Sequence, residues 1–192
     1  MNATDLSTGT LRVLAISGSL RAGSVNSAIL RAAGALAGTE VKLEVWDGLA
    51  EVPPFNEDHE AEPGAGVLAL RAAINAADAL LFATPEYNHS LPGQLKNALD
   101  WASRPYGASA LGGKPAAVVG ASPSGFGAKW AQAELSRILK ACGAVVVGEE
   151  LCVPKANAAL GEDGLPVSEE LRGALTGLLA ALGEAAGAAR AA

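Results

Sequence analysis

The chain has 192 residues and a formal net charge of -6, and its 14 Lys and Arg residues are scattered, which excludes the concentrated basic footprint of a nucleic-acid binder. Half of the residues are hydrophobic but only 4% are aromatic, so the core must be built from Ala, Val, Leu and Ile, types that suit helices packed on a buried sheet. No basic segment leads into an apolar run at the N-terminus, and no window approaches the ~20 uninterrupted apolar residues of a bilayer span, so a cytoplasmic protein with no membrane partner is expected.

Residues 11–17 form a short apolar run without alternation, the pattern of a parallel strand covered on both faces. Residues 18–24 make a polar turn. Val25, Ile29, Ala32, Ala33 and Leu36 then recur at helical spacing, with Ser24 placed as N-cap and Gly38 just beyond the end. Residues 41–46 alternate as a strand near a sheet edge, and a loop rich in Pro and acids takes residues 47–63. A helix over 67–77 leads into a buried strand over 79–83. After a turn at 85–90, Leu91, Leu95, Ala98, Leu99 and Trp101 mark a further helix, with Pro92 tolerated in its first turn. A strand over 116–121, a helix over 128–141, a fifth strand over 144–147 and a Leu- and Ala-rich helix over 168–186 complete the chain.

Strands alternating with helices require right-handed crossovers and a parallel sheet with helices on both faces. The expected fold is therefore α/β, a three-layer doubly wound architecture with a five-stranded parallel sheet of order 2-1-3-4-5. It is expected as a single domain over residues 1–192, frayed near 1–9 and 188–192. Ligands in such sheets bind beyond the C-terminal strand ends, where strand order reverses. That rule brings together residues 18–26, 85–90 and 122–127.

The first of these loops, running from Ser17 to Ser27, offers hydroxyls, the Arg21 guanidinium and free backbone at the start of a helix, a combination suited to a phosphate. Gly18 and Gly23 have P-loop spacing, but Ser24-Val25 stands where Lys-Ser/Thr is required, and no Gly-x-Gly-x-x-Gly is present. A monophosphate fits better than a triphosphate or a dinucleotide. The second loop presents Pro85, Glu86, Tyr87 and Asn88, against which a flat ring can lie. The third opens a helix with small residues around Ser122 and Gly125. Gly120-Ala121-Ser122-Pro123-Ser124 fails the nucleophile-elbow pattern of serine hydrolases, His59 and His89 lack metal-ligand spacing, and Cys142 and Cys152 read as structural thiols.

Two strings carry a resemblance: Gly18-Ser19-Leu20-Arg21-x-x-Ser24-x-Asn26, and Pro85-Glu86-Tyr87-Asn88-x-Ser90-x-Pro92-Gly93-x-Leu95-Lys96-Asn97-Ala98-x-Asp100-Trp101. With Gly113-Lys114-Pro115, they make residues 11–150 resemble the NADPH-dependent FMN reductase family, flavodoxin-like proteins that include quinone, chromate and azo-dye reductases. The resemblance implies an enzyme holding FMN, with its phosphate near Ser17, Ser19, Arg21, Ser24, Val25, Asn26 and Ser27. The isoalloxazine would then lie by Pro85, Glu86, Tyr87 and Asn88, completed by Ser122 and Gly125. It implies hydride transfer from NADPH or NADH through flavin N5 to a quinone-like or other small oxidised acceptor, donor and acceptor using the same ring face in turn. It also implies a homodimer or homotetramer, for which Leu91, Leu95 and Trp101 are candidate interface residues as well as candidate core. Many relatives carry Gly-Gly-x-Arg where this chain has Gly127-Ala128-Lys129, which leaves the choice of nicotinamide and the role of Lys129 open. The alternative is a flavodoxin-type electron carrier that binds FMN without NAD(P)H turnover.

Overall fold

The computed structural model describes residues 9–191. Its parallel sheet has the order β2-β1-β3-β4-β5, with β1 (Leu11–Ser17), β2 (Val41–Trp46), β3 (Ala79–Thr84) and β4 (Pro115–Ala121) in the expected places. Every residue of β3 and β4 is buried, which is why these strands read as unbroken apolar runs, whereas β2 is half exposed at the edge.

The fifth position differs from the single strand expected over 144–147. It is split into β5 (Val145–Val146), which pairs with the start of β4, and β6 (Leu151–Val153), which pairs with its end through Val119↔Leu151 and Ala121↔Val153. Between them Gly148 adopts a left-handed φ of 70° and Glu149 and Glu150 are exposed, so the chain leaves the sheet and rejoins it. The polar interruption hid the second half. Its return matters to the loops above, because Val153 accepts a hydrogen bond from the Ser122 N–H at 3.2 Å.

Helices α1 (Val25–Leu36) and α5 (Glu169–Ala191) cover one face, and α2 (Ala65–Ala76), α3 (Gly93–Ala102) and α4 (Lys129–Ala141) cover the other. Alternate strand residues sort between the two cores. Leu14, Ile16, Leu80, Phe82 and Val118 face α2, α3 and α4; Val13, Ala15, Leu81, Ala83 and Val119 face α1 and α5. Leu91, Leu95 and Trp101, candidates for an interface, are all buried in the first of these cores.

Much of the long motif through α3 is a clamp on the acidic loop that follows β2. Gln94 donates to the carbonyls of Leu49 and Val52, Asn97 accepts from the Phe55 N–H and donates to the Pro53 carbonyl, and the Trp101 indole N–H donates to the same carbonyl at 2.9 Å. Lys114, in the shorter Gly-Lys-Pro match, donates to the carbonyls of Asn75 and Ala77 at the C-terminal end of α2.

α5 continues through the Ala-rich stretch, where fraying was expected, to Ala191. Arg190 reaches Asp78 at 2.7 Å, and the Asp78 carboxylate also accepts from the Arg12 N–H. The fraying expected near residues 1–9 falls almost wholly outside the described residues, as does residue 192. Desolvation pushes the Asp78 pKa up, but the Arg190 hydrogen bond, the Arg12 N–H and the charges of Arg190 and Lys114 outweigh it, and the net shift is downward. A carboxyl with a depressed folded pKa stabilises the fold above its unfolded pKa, near 3.9, and that contribution disappears as pH falls through the folded value. Asp78→Asn should therefore lower the melting temperature at pH 7 but leave a smaller difference from wild type below about pH 3, as thermal unfolding at the two pH values would show.

Candidate functional site

Strand register sets the three loops level with one another. Ser17 pairs with Ala83 and Thr84 with Gly120, so β1, β3 and β4 all end within about two residues of the same height. Side chains then tie the loops in pairs. Asn26 donates to the Ala121 carbonyl at 3.0 Å and accepts from the Ala121 N–H at 2.9 Å, joining the first loop to the third. The Glu86 carboxylate accepts from the N–H groups of Trp130 and Ala131 at 2.9 and 3.1 Å, joining the second loop to the helix that follows the third. Gly18 joins the first to the second: its N–H donates to Ala83, and a Cβ there would stand 2.9 Å from Leu95 and 3.5 Å from Pro85.

The first loop is a set of donors awaiting an acceptor. Ser24 caps α1 by accepting from the Ser27 N–H at 3.2 Å, as its position predicts, and Ser27 donates through its hydroxyl to Ser17 at 2.8 Å. Ser17 in turn accepts from the Ser19 N–H, and Ser19 from the Arg21 N–H. Among the described residues, the backbone N–H groups of Leu20, Gly23, Val25 and Asn26 have no partner, and the exposed Arg21 side chain makes no ion pair. Unpaired N–H groups in the first turn of a helix, beside a free guanidinium, are donors of the kind that suit an anion. Asn26 lies in this first turn. Its carboxamide is committed to Ala121, which leaves its backbone N–H for an anion.

The second loop folds as a two-residue hairpin turn. Tyr87 and Ser90 exchange backbone hydrogen bonds at 3.0 and 3.1 Å, with Asn88 at φ 53° and His89 at φ 62°. Asn tolerates this conformation and His adopts it less readily, so the turn holds some strain beside the site. Pro85 is buried, Tyr87 is exposed, and the N–H groups of Glu86 and Asn88 have no partner among the described residues. The Glu86 carboxylate faces α4, which leaves its backbone for a ring. It supplies what α4 lacks: the helix begins at Ala128, in a left-handed conformation with no capping side chain of its own. Glu86→Ala should lower stability by about 1 kcal/mol, the worth of a helix cap, measurable as a shifted urea midpoint.

In the third loop the Ser122 hydroxyl donates to Ser124 at 3.0 Å and accepts from the Ser124 N–H. The segment that follows β6 anchors the loop through Lys155 N–H to Ser124 and Ala156 N–H to Ser122. Gln132, fully buried, donates to the Gly127 carbonyl and to the Cys152 sulfur. Gly125 is exposed, and a Cβ there would meet nothing within 4 Å. Lys129 is exposed on the first turn of α4.

The family model for NADPH-dependent FMN reductases matches residues 11–158. The chain belongs to that family. As a member it is an oxidoreductase that uses FMN with a reduced nicotinamide donor. An NAD(P)H-dependent FMN reductase from Pseudomonas aeruginosa is 51% identical over 131 residues, 67% of this chain and 69% of that protein. A 2-hydroxy-1,4-benzoquinone reductase from Burkholderia sp. is 36% identical over 163 residues, 84% of this chain and 88% of the other. The solved structure of FerB, an NAD(P)H:(acceptor) oxidoreductase from Paracoccus denitrificans, superposes with a TM-score of 0.84 at 35% identity, covering 91% of this chain and 98% of that one. Together with the strand order, this makes the fold flavodoxin-like.

A cavity of about 860 Å³ lies at the other end of the sheet, where Leu11 and Val41 begin their strands beneath Leu36 and Leu179. Its lining is mostly apolar and has no cluster of free donors, so the loops above the C-terminal strand ends remain the better site for a phosphorylated ligand. Phe126 in the third loop and Trp130 in the first turn of α4, which no motif in the sequence singles out, are 60% and 43% exposed. Their spacing of four, straddling a helix start, was the signal available.

Proposed function

We propose that this FMN-dependent oxidoreductase, working as one cytoplasmic domain in a homodimer or homotetramer, passes electrons from NADPH or NADH to quinone-like acceptors. The observation that carries the proposal is the row of unpartnered N–H groups at Leu20, Gly23, Val25 and Asn26 beside the unpaired Arg21. Those donors fit a dianionic monophosphate, and the hydroxyls of Ser17, Ser19, Ser24 and Ser27 stand around them. Pro85, the backbone of Glu86, Tyr87 and Asn88 would hold the ring, with Ser122 and Gly125 at its edge. FMN bound there would supply the redox chemistry, the exchange of reducing equivalents between NAD(P)H and the acceptor.

The chain's own residues bind and orient. Glu86 fixes the start of α4 against the ring loop, and Asn26 fixes the start of α1 against β4. Hydride chemistry on a flavin needs no side-chain acid or base triad, so the protein's part is to bind the cofactor and orient it. The test is anaerobic mixing of the FMN-loaded protein with NADPH and, separately, NADH, followed by a quinone. Loss of the oxidised-flavin absorbance on adding the donor, its return on adding quinone, and parallel double-reciprocal lines in the steady state are expected. FMN that binds and stays oxidised would favour an electron carrier instead.

A further inference from the structure

Three aromatic rings that none of the contacts described so far employs stand together beside the ring loop. Trp130 has Phe126 at a centroid distance of 5.0 Å and an interplanar angle of 57°, and His89 edge-on at 5.1 Å and 87°. His89 comes from the second loop, Phe126 from the third and Trp130 from α4, so the three form one surface across the seam between loops. The seam is fixed by the backbone, because Glu86, three residues before His89, accepts from the Trp130 N–H. Phe126 is 60% exposed and Trp130 43%, and Tyr87, two residues before His89, is 49% exposed. Only eight aromatic residues of the Phe, Trp and Tyr types occur in the chain, and three of them are left open to solvent at this spot. Exposed contiguous aromatics are the mark of a surface that a ligand covers.

We propose that Phe126 and Trp130, the latter braced by His89, form an acceptor wall that selects fused-ring over single-ring quinones; the assignment rests on the reading of the neighbouring loops as the FMN site. A single ring held against the second loop presents little surface to this wall. A second fused ring extends across it, where edge and face contacts with Trp130 and Phe126 replace water. His89, already edge-on to Trp130, fixes the tilt of that indole and is a positioning residue rather than a contact. The left-handed His89 is thereby explained: the turn aims an imidazole at α4 where a glycine would aim nothing.

The experiment compares kcat/KM for 2-methyl-1,4-naphthoquinone with kcat/KM for 1,4-benzoquinone, using the FMN-loaded protein, and reads their ratio so that damage common to both acceptors cancels. Trp130→Ala and Phe126→Ala should each lower the ratio about tenfold, through KM for the naphthoquinone, and Trp130→Phe should restore most of it. A ratio unchanged in both alanine variants would overturn the proposal. So would an unchanged ratio accompanied by a smaller particle in sedimentation, which would make the aromatic patch a contact between copies of the chain. Failure of the underlying site reading is separable, because it appears in the wild type as absence of FMN binding before any acceptor is added.

Discussion

Replacing Arg21 with alanine is expected to weaken FMN binding about ten- to hundredfold while changing riboflavin binding by no more than about twofold. The guanidinium is exposed, unpaired among the described residues and two positions from a hydroxyl that organises its own loop, since Ser19 accepts from the Arg21 N–H. That hydrogen bond involves backbone and survives the substitution, so the loop keeps its shape and loses only charge. Riboflavin lacks the phosphate and should register nothing. Quenching of flavin fluorescence measures both affinities, and equal losses for the two ligands would mean that Arg21 acts through the loop and not through a phosphate.

Gly127→Ala should be the most damaging single methyl group in the site region. Gly127 adopts φ 58°, and its added Cβ would lie 2.6 Å from the Val153 N and 2.9 Å from the Cys152 carbonyl carbon, both backbone atoms of β6. A flexible side chain could step aside, but a strand paired to β4 cannot without breaking its ladder. The left-handed conformation and the clash together are expected to remove about 3 kcal/mol of stability, or roughly 6–12 °C in melting temperature for a chain of this size. Gly125→Ala is the control. It lies two residues away, where a Cβ meets nothing within 4 Å, and its stability should stay within about 0.5 kcal/mol of wild type.

The order of the sheet was legible because strands buried on both faces read as apolar runs: residues 79–83 and 116–121 carry no charge, and in 11–17 only Arg12, at the exposed start of β1, does. The same rule missed β6, since Gly148, Glu149 and Glu150 break the run and the three residues beyond are too few to read as a strand without β4 beside them. At the site, local signals transferred well. Ser24 before an apolar helix predicts a cap and is one. Long-range commitments did not transfer. Asn26 lies 95 residues from Ala121 and Glu86 lies 44 from Trp130, so nothing in either loop's own sequence shows that these side chains are spent on tying the loops together. The motif through α3 contains the same lesson, because Gln94, Asn97 and Trp101 hold the loop after β2 rather than a ligand. A recognisable string thus mixes residues that would touch the cofactor with residues that build the platform under it.

The central claim is that the N-terminus of α1 and the loop before it hold the phosphate of FMN. Titrating the wild-type protein with FMN and with riboflavin tests it most directly. FMN is expected to bind at least about a hundredfold more tightly, because the free N–H groups and Arg21 act on the phosphate alone. Equal affinity for the two flavins would contradict it.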